Sequence, residues 1–283
     1  MSDQPKEVQA RVQKKRARFD IQLDRHEAKY VIPRTLVPEL REFIRPFCEP
    51  DPHTHGDPPE YIIVTLQLDN PSLALHYAKE WESVNRFKLR VRTYGDPVGS
   101  APVFMEVKRK IRGSIVKSRT MVPFDAWSKE LITEPRLSLT FKSPKEEHGF
   151  LEFKRLAMEI GAQPAVVVRY TRESYFGKFD HYARVTFDRK LEYQPTTSWT
   201  SFGRDGRWLP MDTGMAQGKD FPFSGVVLEV KTLSDAPQWM IDLVMHFGLV
   251  RAGNCKYSTA IWQEKLFRGT AGIQMESAEL LTW

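Results

Sequence analysis

Arg86, Lys88, Arg90 and Arg92 alternate with Phe87, Leu89 and Val91. In an extended chain that alternation puts four cations on one face and the apolar residues on the other. Neighbours on one face of a strand lie about 7 Å apart. Two like charges at that spacing repel by roughly 0.6 kcal/mol in water and about 2.4 at an effective dielectric of 20. A run of four is unfavourable unless solvent or a bound anion neutralises it. The pattern recurs: Glu27 with Lys29; Glu106 with Lys108 and Lys110; Lys117 with Arg119; Arg172 in phase with Val168 and Tyr170; Arg184 with Thr186 and Asp188; Glu229 with Lys231. The opposite faces carry Val103, Met105 and Val107, then Ala183, Val185 and Phe187, then Val226, Leu228 and Val230. These charged faces hold twelve basic and four acidic residues, a net of +8, whereas the whole chain carries +6. The positive charge is therefore concentrated on strand faces.

An ordinary solvated sheet face mixes signs and uses Thr, Ser and Gln. The alternative closes the sheet into a barrel with its charged faces inward and its apolar faces outward against helices. Such an interior is a basic tunnel holding a few carboxylates. Arginine forks match phosphate oxygens and lysines act as point charges. Carboxylate oxygens suit a hard divalent cation, magnesium or manganese. The implied ligand is a polyphosphate group with a metal ion.

Eight segments alternate as strands: 22–32, 61–69, 86–95, 102–111, 113–122, 165–176, 182–189 and 225–232. Helical spacing joins Leu36, Leu40, Phe43, Ile44 and Phe47. A second helix is expected from Lys145 to Ile160, stopped by Gly161. A third is expected after Ser234 or Asp235 with Pro237 in its first turn, and a last over 258–267. Segment 53–59 reads as a turn. Segment 192–222 reads as a long loop with exposed Trp199 and Trp208. The expected fold class is α+β, an eight-stranded antiparallel β-barrel tunnel with helices packed on its outside. Residues 1–18 read as a flexible basic tail, 19–270 as one domain and 271–283 as a C-terminal tail. The apolar stretch Met240–Val250 is short and interrupted by Asp242 and His246, so no membrane helix is expected. The polar, basic start has no apolar signal core, and two cysteines make no disulfide framework. A soluble cytoplasmic protein is the expectation.

Nine motifs stand in order: Arg25-His26-Glu27-Ala28-Lys29-Tyr30, Thr65-Leu66-Gln67-Leu68-Asp69-Asn70, Lys88-Leu89-Arg90-Val91-Arg92-Thr93-Tyr94-Gly95, Phe104-Met105-Glu106-Val107-Lys108, Lys117-Ser118-Arg119, Tyr170-Thr171-Arg172-Glu173-Ser174-Tyr175, Arg184-Val185-Thr186-Phe187-Asp188, Leu228-Glu229-Val230-Lys231 and Cys255-Lys256-Tyr257-Ser258. Through them the chain resembles the catalytic domain of the vacuolar transporter chaperone (VTC) polyphosphate polymerases, one branch of the triphosphate tunnel metalloenzymes. The resemblance implies transfer of the γ-phosphate of ATP to a growing inorganic polyphosphate chain, with Mn2+ or Mg2+ as cofactor. It implies a catalytic set of Lys29, Arg90, Arg92, Lys108, Arg172 and Arg184. Arg86, Lys88, Lys110, Lys117, Arg119, Lys231 and Lys256 fall to substrate binding. Glu229 matches the metal-binding glutamate, and Glu106 and Glu27 lie at related positions.

Hydrolytic relatives carry Glu-x-Glu-x-Lys on the first strand, where this chain has Arg25-x-Glu27-x-Lys29. The missing carboxylate favours the polymerase branch. Fungal VTC proteins add a phosphate-sensing domain and a membrane domain, and neither is expected within these residues. Two rival functions are a triphosphatase of the same fold and a non-catalytic polyphosphate-binding protein. Retention of Glu229 argues against a pure binder, and inward charges disfavour nucleic acid. His53-x-His55 reads as a solvated pair, Gly203-x-x-Gly206 lacks the strand–loop–helix setting of a phosphate loop, and Cys255 reads as structural. Tyr94 and Tyr170 are candidates either for stacking on adenine or for the core.

Overall fold

The computed structural model describes residues 26–112, 114–180, 182–204, 206–212, 225–233 and 235–272. Ten strands form one antiparallel sheet: β1 (His26–Pro33), β2 (Cys48–Pro50), β3 (Glu60–Asp69), β4 (Arg86–Tyr94), β5 (Pro102–Ile111), β6 (Ser114–Pro123), β7 (Gln163–Gly177), β8 (Arg184–Pro195), β9 (Leu209–Pro210) and β10 (Gly225–Thr232). Eight of them run in the spatial order β1-β10-β8-β7-β3-β4-β5-β6, and the two short strands attach at β7 and β8. These eight are the alternating segments of the sequence. The tail expected over 1–18 and residues 273–283 lie outside the described residues.

The helices are α1 (Val37–Ile44), α2 (Ala74–Glu80), α3 (Lys129–Thr133), α4 (Pro144–Glu159), α5 (Gln238–His246) and α6 (Lys256–Gly272). Helix α4 shows both of its expected ends. Ser143 Oγ accepts from Glu146 N–H, Pro144 opens the first turn, and Glu146 and Glu147 favour the positive end of the dipole. At the other end Gly161 takes φ +62°, its N–H bonds Met158 O, and Ala162 N–H bonds Ala157 O. That is a Schellman stop, which needs a left-handed residue. Helix α5 differs from expectation: Pro237 is its N-cap rather than a first-turn residue, and no side chain caps it. The first turn is closed instead by backbone, with Met240 N–H donating to Pro237 O.

Three cores sort the faces. The outward residues of β3–β6, among them Leu66, Leu89, Val91, Met105 and Val122, pack with Trp127, Phe150 and Phe153 of the α3–α4 layer. Those of β1, β8 and β10, including Ile32, Phe187 and Leu228, pack with Leu40 of α1 and Leu243 of α5. The third core lies on the other side of the sheet, where Ile63, Val168, Tyr170, Tyr193 and Val227 pack with Tyr257, Ala260 and Ile261 of α6. Register places Ile63 beside Tyr94 and Tyr170, in phase with the charged residues of β4 and β7. Helix α6 thus covers part of the charged side, α1, α3, α4 and α5 cover the outside, and α2 packs on both, with Leu75 in the first core and His76 against Tyr257 and Trp262 of α6.

The stretch 192–222 departs from a plain loop. β8 continues to Pro195, past a register shift and a left-handed Lys190 (φ +50°). This bulge moves the alternation by one residue, so Asp188 and Leu191 face the same side. Trp199 and Trp208 are not exposed: both pack on the α3–α4 core, and Trp127 Nε1–H donates to Trp199 O over 2.6 Å. Residues 213–222 lie outside the described residues.

Candidate active site

Cross-strand register aligns the charged residues into rows. Lys88 stands beside Lys108, and Lys108 beside Lys117. In the next row, Arg90 stands beside Glu106, and Glu106 beside Arg119. On the other arm of the sheet Lys29 stands beside Glu229 and Glu27 beside Lys231. The two arms are separated by the whole strand order, yet their charges interact. Glu27 on β1 raises the proton affinity of Lys108 on β5 and Lys117 on β6, and Lys29 lowers that of Lys108. The sheet therefore curls so that its charged faces meet across a shared interior, although no hydrogen-bonded pairing joins β1 to β6 among the described residues. The faces that the sequence marks as basic are turned toward one another.

Within this interior four carboxylates organise the cations. Glu229, with 6% of its side chain exposed, lies 2.8 Å from Lys231, 3.3 Å from Lys29, 3.5 Å from Arg172 and 3.9 Å from Lys256. Burial pushes its pKa up, but these four cations outweigh it and hold the carboxyl well below the usual range. Lys29 Nζ also lies 3.3 Å from Glu27, whose pKa is lowered because Lys29, Lys231 and Lys108 overcome its burial. Asp188 is fully buried, accepts a bidentate bond from Arg172 at 2.6 and 2.8 Å, and pairs with Lys256 at 2.6 Å. Glu106 is ringed by Arg90 at 2.6 Å, Arg119 at 3.6 Å and Arg92 at 3.7 Å.

The lysine row is different. Neither Lys108 nor Lys117 has a hydrogen bond or an ion pair within 4 Å among the described residues. Burial comes first, and Lys117, Lys29 and Arg90 add to it, bringing Lys108 down to about 8 despite Glu27. Lys117 is also lowered, by burial and by Lys231 and Arg90. These are cations placed where an anion would relieve both desolvation and mutual repulsion. Three buried polar atoms on the same faces also lack a protein partner: Thr65 Oγ1, Arg92 Nε and Thr186 Oγ1. Thr65 is the cross-strand neighbour of Arg92, and Thr186 that of Glu229. The charge pattern singled out neither threonine as a site residue, and their in-phase positions were the available signal.

The remaining expected residues sort by position. Arg184 stacks on Phe176 at 4.1 Å. Arg86 donates to Ser83 O at 2.7 Å at the start of β4, across from Lys110. Tyr170 is a core residue, 4% exposed beneath Arg172 and Lys256, and presents no ring to a base. Cys255 corrects an expectation: it is not a plain structural thiol. Its Sγ lies 2.7 Å from Lys88 Nζ. Burial alone would raise its pKa, but the Lys88 charge and hydrogen bond, with the neighbouring Ser258, bring it down to about 6. Arg25 lies outside the described residues.

The donor set fits a small divalent cation. Glu27 and Glu229 share Lys29 as a neighbour, and two carboxylates with phosphate oxygens completing the shell is the usual protein share of a magnesium site. No cluster of three or more His, Cys, Asp or Glu side chains able to hold a metal occurs among the described residues, so a bound ion would draw its other ligands from substrate and water.

The VTC domain model matches residues 24–263. A search of curated proteins finds no match. Among solved structures, the chain is similar to a putative adenylate cyclase from Vibrio parahaemolyticus, at 11% identity and a TM-score of 0.42, covering 84% of this chain and 97% of that one. It is similar to a Pyrococcus horikoshii protein at 12% identity and a TM-score of 0.42, covering 85% and 99%. A putative adenylyl cyclase from Hippeastrum, described as having a dominant triphosphatase activity, aligns at 15% identity and a TM-score of 0.39, covering 82% and 92%. The family match spans all nine motifs and both arms of the charged interior, and the chain belongs to the VTC domain family.

Proposed function

We propose that the protein is a polyphosphate polymerase that moves the γ-phosphate of ATP onto the end of an inorganic polyphosphate chain. The observation that carries this reading is the row of Lys88, Lys108 and Lys117, in which Lys108 and Lys117 have no carboxylate partner while the neighbouring cations are held by Glu106, Glu229 and Asp188. A row of this kind suits a ligand carrying many phosphate charges in line.

In the reaction, a terminal oxygen of the polyphosphate attacks Pγ, the bond from Pγ to the β,γ-bridging oxygen breaks, and ADP leaves. The attacking oxygen is already anionic, so no general base is needed. Catalysis then rests on alignment and charge neutralisation. Arg90, Arg92 and Arg119, fixed by Glu106, grip the donor phosphates. Arg172, fixed by Asp188, faces the same interior beside Lys29. Lys108 and Lys117 hold the phosphate being transferred or its acceptor. Lys88, Lys110, Arg86, Lys231, Lys256 and Arg184 line the path on either side. A divalent ion held by Glu27 and Glu229 would supply Lewis acidity and further charge neutralisation. A hydrolytic reading would need an activated water. The first-strand pattern Arg25-x-Glu27-x-Lys29 lacks the second carboxylate of hydrolytic relatives. ATP supply and two unpaired thiols suit action in the cytoplasm.

Glu229→Gln tests the assignment, because it keeps the shape and removes the charge. Turnover of ATP with manganese should collapse while tripolyphosphate still binds. Unchanged turnover would refute the role of Glu229.

A further inference from the structure

The charged interior changes character along its length. One row of β4–β6 is Lys88, Lys108 and Lys117, and the next is Arg90, Glu106 and Arg119. The third is Arg92, Phe104 and Met121, and Tyr94 lies beyond it on β4. Toward this end, apolar and aromatic groups stand on the charged side with solvent access: Tyr94 is 45% exposed and Met121 44%. Tyr94 meets Phe104 edge-on at 5.6 Å and Tyr61 at 5.7 Å. The Arg119 guanidinium lies 3.8 Å from the centre of the Phe104 ring and donates to Tyr94 Oη over 3.3 Å. Phosphate recognition has no use for rings and a thioether. A planar base does, since every base offers a π-face to aromatic and guanidinium groups.

We propose that the rim formed by Tyr94, Phe104, Met121 and Tyr61 is the nucleobase subsite of the donor nucleotide. The inference rests on the reading of the interior as an ATP site and assigns a direction to it. The base stacks at the rim, Arg119, Arg92 and Arg90 take the first phosphates, and the γ-phosphate points toward Lys108 and Lys117. From Tyr94 to Lys88 is six residues of strand, roughly 20 Å, which accommodates an extended nucleoside triphosphate. Polyphosphate, which has no base, occupies the lysine end. Stacking tolerates base identity, so GTP should bind at this rim as well as ATP.

Calorimetric titration of ATP, GTP and inorganic tripolyphosphate into the wild type, Phe104→Leu and Phe104→Trp tests this. Loss of the ring in Phe104→Leu should weaken both nucleotides roughly tenfold and leave tripolyphosphate unchanged, and Phe104→Trp should restore the nucleotides. Equal weakening of nucleotide and tripolyphosphate would mean that the ring acts only through Arg119 and would overturn the proposal. Unchanged nucleotide affinity would overturn it too. A wild type that binds tripolyphosphate but no nucleotide would overturn the subsite and leave an anion-binding interior standing. A wild type that binds neither would overturn the functional reading and the subsite with it.

Discussion

Lys108 is a place where the site and the stability of the fold oppose each other. Its ammonium is held among Lys117, Lys29 and Arg90 and partly removed from water, and its pKa falls from the usual 10.5 to about 8. That gap corresponds to about 3 kcal/mol of strain in the charged form, an upper figure because solvent in the interior screens part of it. The folded protein gives up this proton near pH 8, while the unfolded chain keeps it up to 10.5. Between those values the unfolded state binds more protons, so stability rises with pH across that window, and the full strain is present below pH 8. Replacing Lys108 by methionine removes the charge and keeps much of the stem. At pH 7 the variant should gain about 1–2 kcal/mol, which for a chain of this size raises Tm by roughly 2–8 °C. The gain should fall to about a quarter of that by pH 10, and the same variant should bind tripolyphosphate more weakly. Scanning calorimetry at pH 7 and pH 10, with titration of tripolyphosphate, reads all three effects. A variant less stable at pH 7 with unaltered anion binding would show that Lys108 is a structural residue and not a strained anion-binding cation.

Cys255 should react with iodoacetamide at a rate that rises through about pH 6 and levels off by neutrality, whereas Cys48, buried and pushed up to about 12, should stay unmodified; peptide mass spectrometry separates the two, and a Cys255 rate still climbing at pH 9 would contradict the Lys88 contact. Asp188→Ala leaves Arg172 and Lys256 without their buried partner and should cost about 3–5 kcal/mol in urea unfolding; a loss below about 1 kcal/mol would mean that solvent or Glu229 already neutralises both cations. Gly161→Ala meets open space but a left-handed backbone, so it should destabilise by about 1 kcal/mol through the α4 stop alone, and no change would mean the helix end relaxes.

Period-2 alternation made the strands legible because each has one buried and one charged face, as in Leu89 and Val91 against Arg90 and Arg92. The signal failed where that contrast fails. The reading of β8 stops at Arg189 because the bulge at Lys190 shifts the phase, after which Leu191 and Tyr193 face the interior. Helices α2 and α3 are too short for two turns of apolar period. Helix α2 is also capped from outside its own N-terminus: Asp69, at the end of β3, accepts from Leu75 N–H and His76 N–H. The membership of the charged interior was legible as a set of faces. Its pairings were not, because which cation each carboxylate holds depends on register between strands far apart in sequence. Glu106 gathers three arginines and Asp188 holds Arg172 and Lys256 for that reason. The partner of Cys255 was not legible either, because the contact joins the residue before α6 to Lys88 of β4, far apart in sequence.

Extension of a phosphate chain along the lysine row is open to direct assay. Purified protein incubated with ATP and manganese, with and without a pyrophosphate primer, tests it when ADP is quantified and phosphate products are resolved by gel. The expected products are polyphosphate of increasing length with one ADP per phosphate added and faster onset with primer. Orthophosphate as the sole product, at one per ADP, would contradict it and assign the site to hydrolysis.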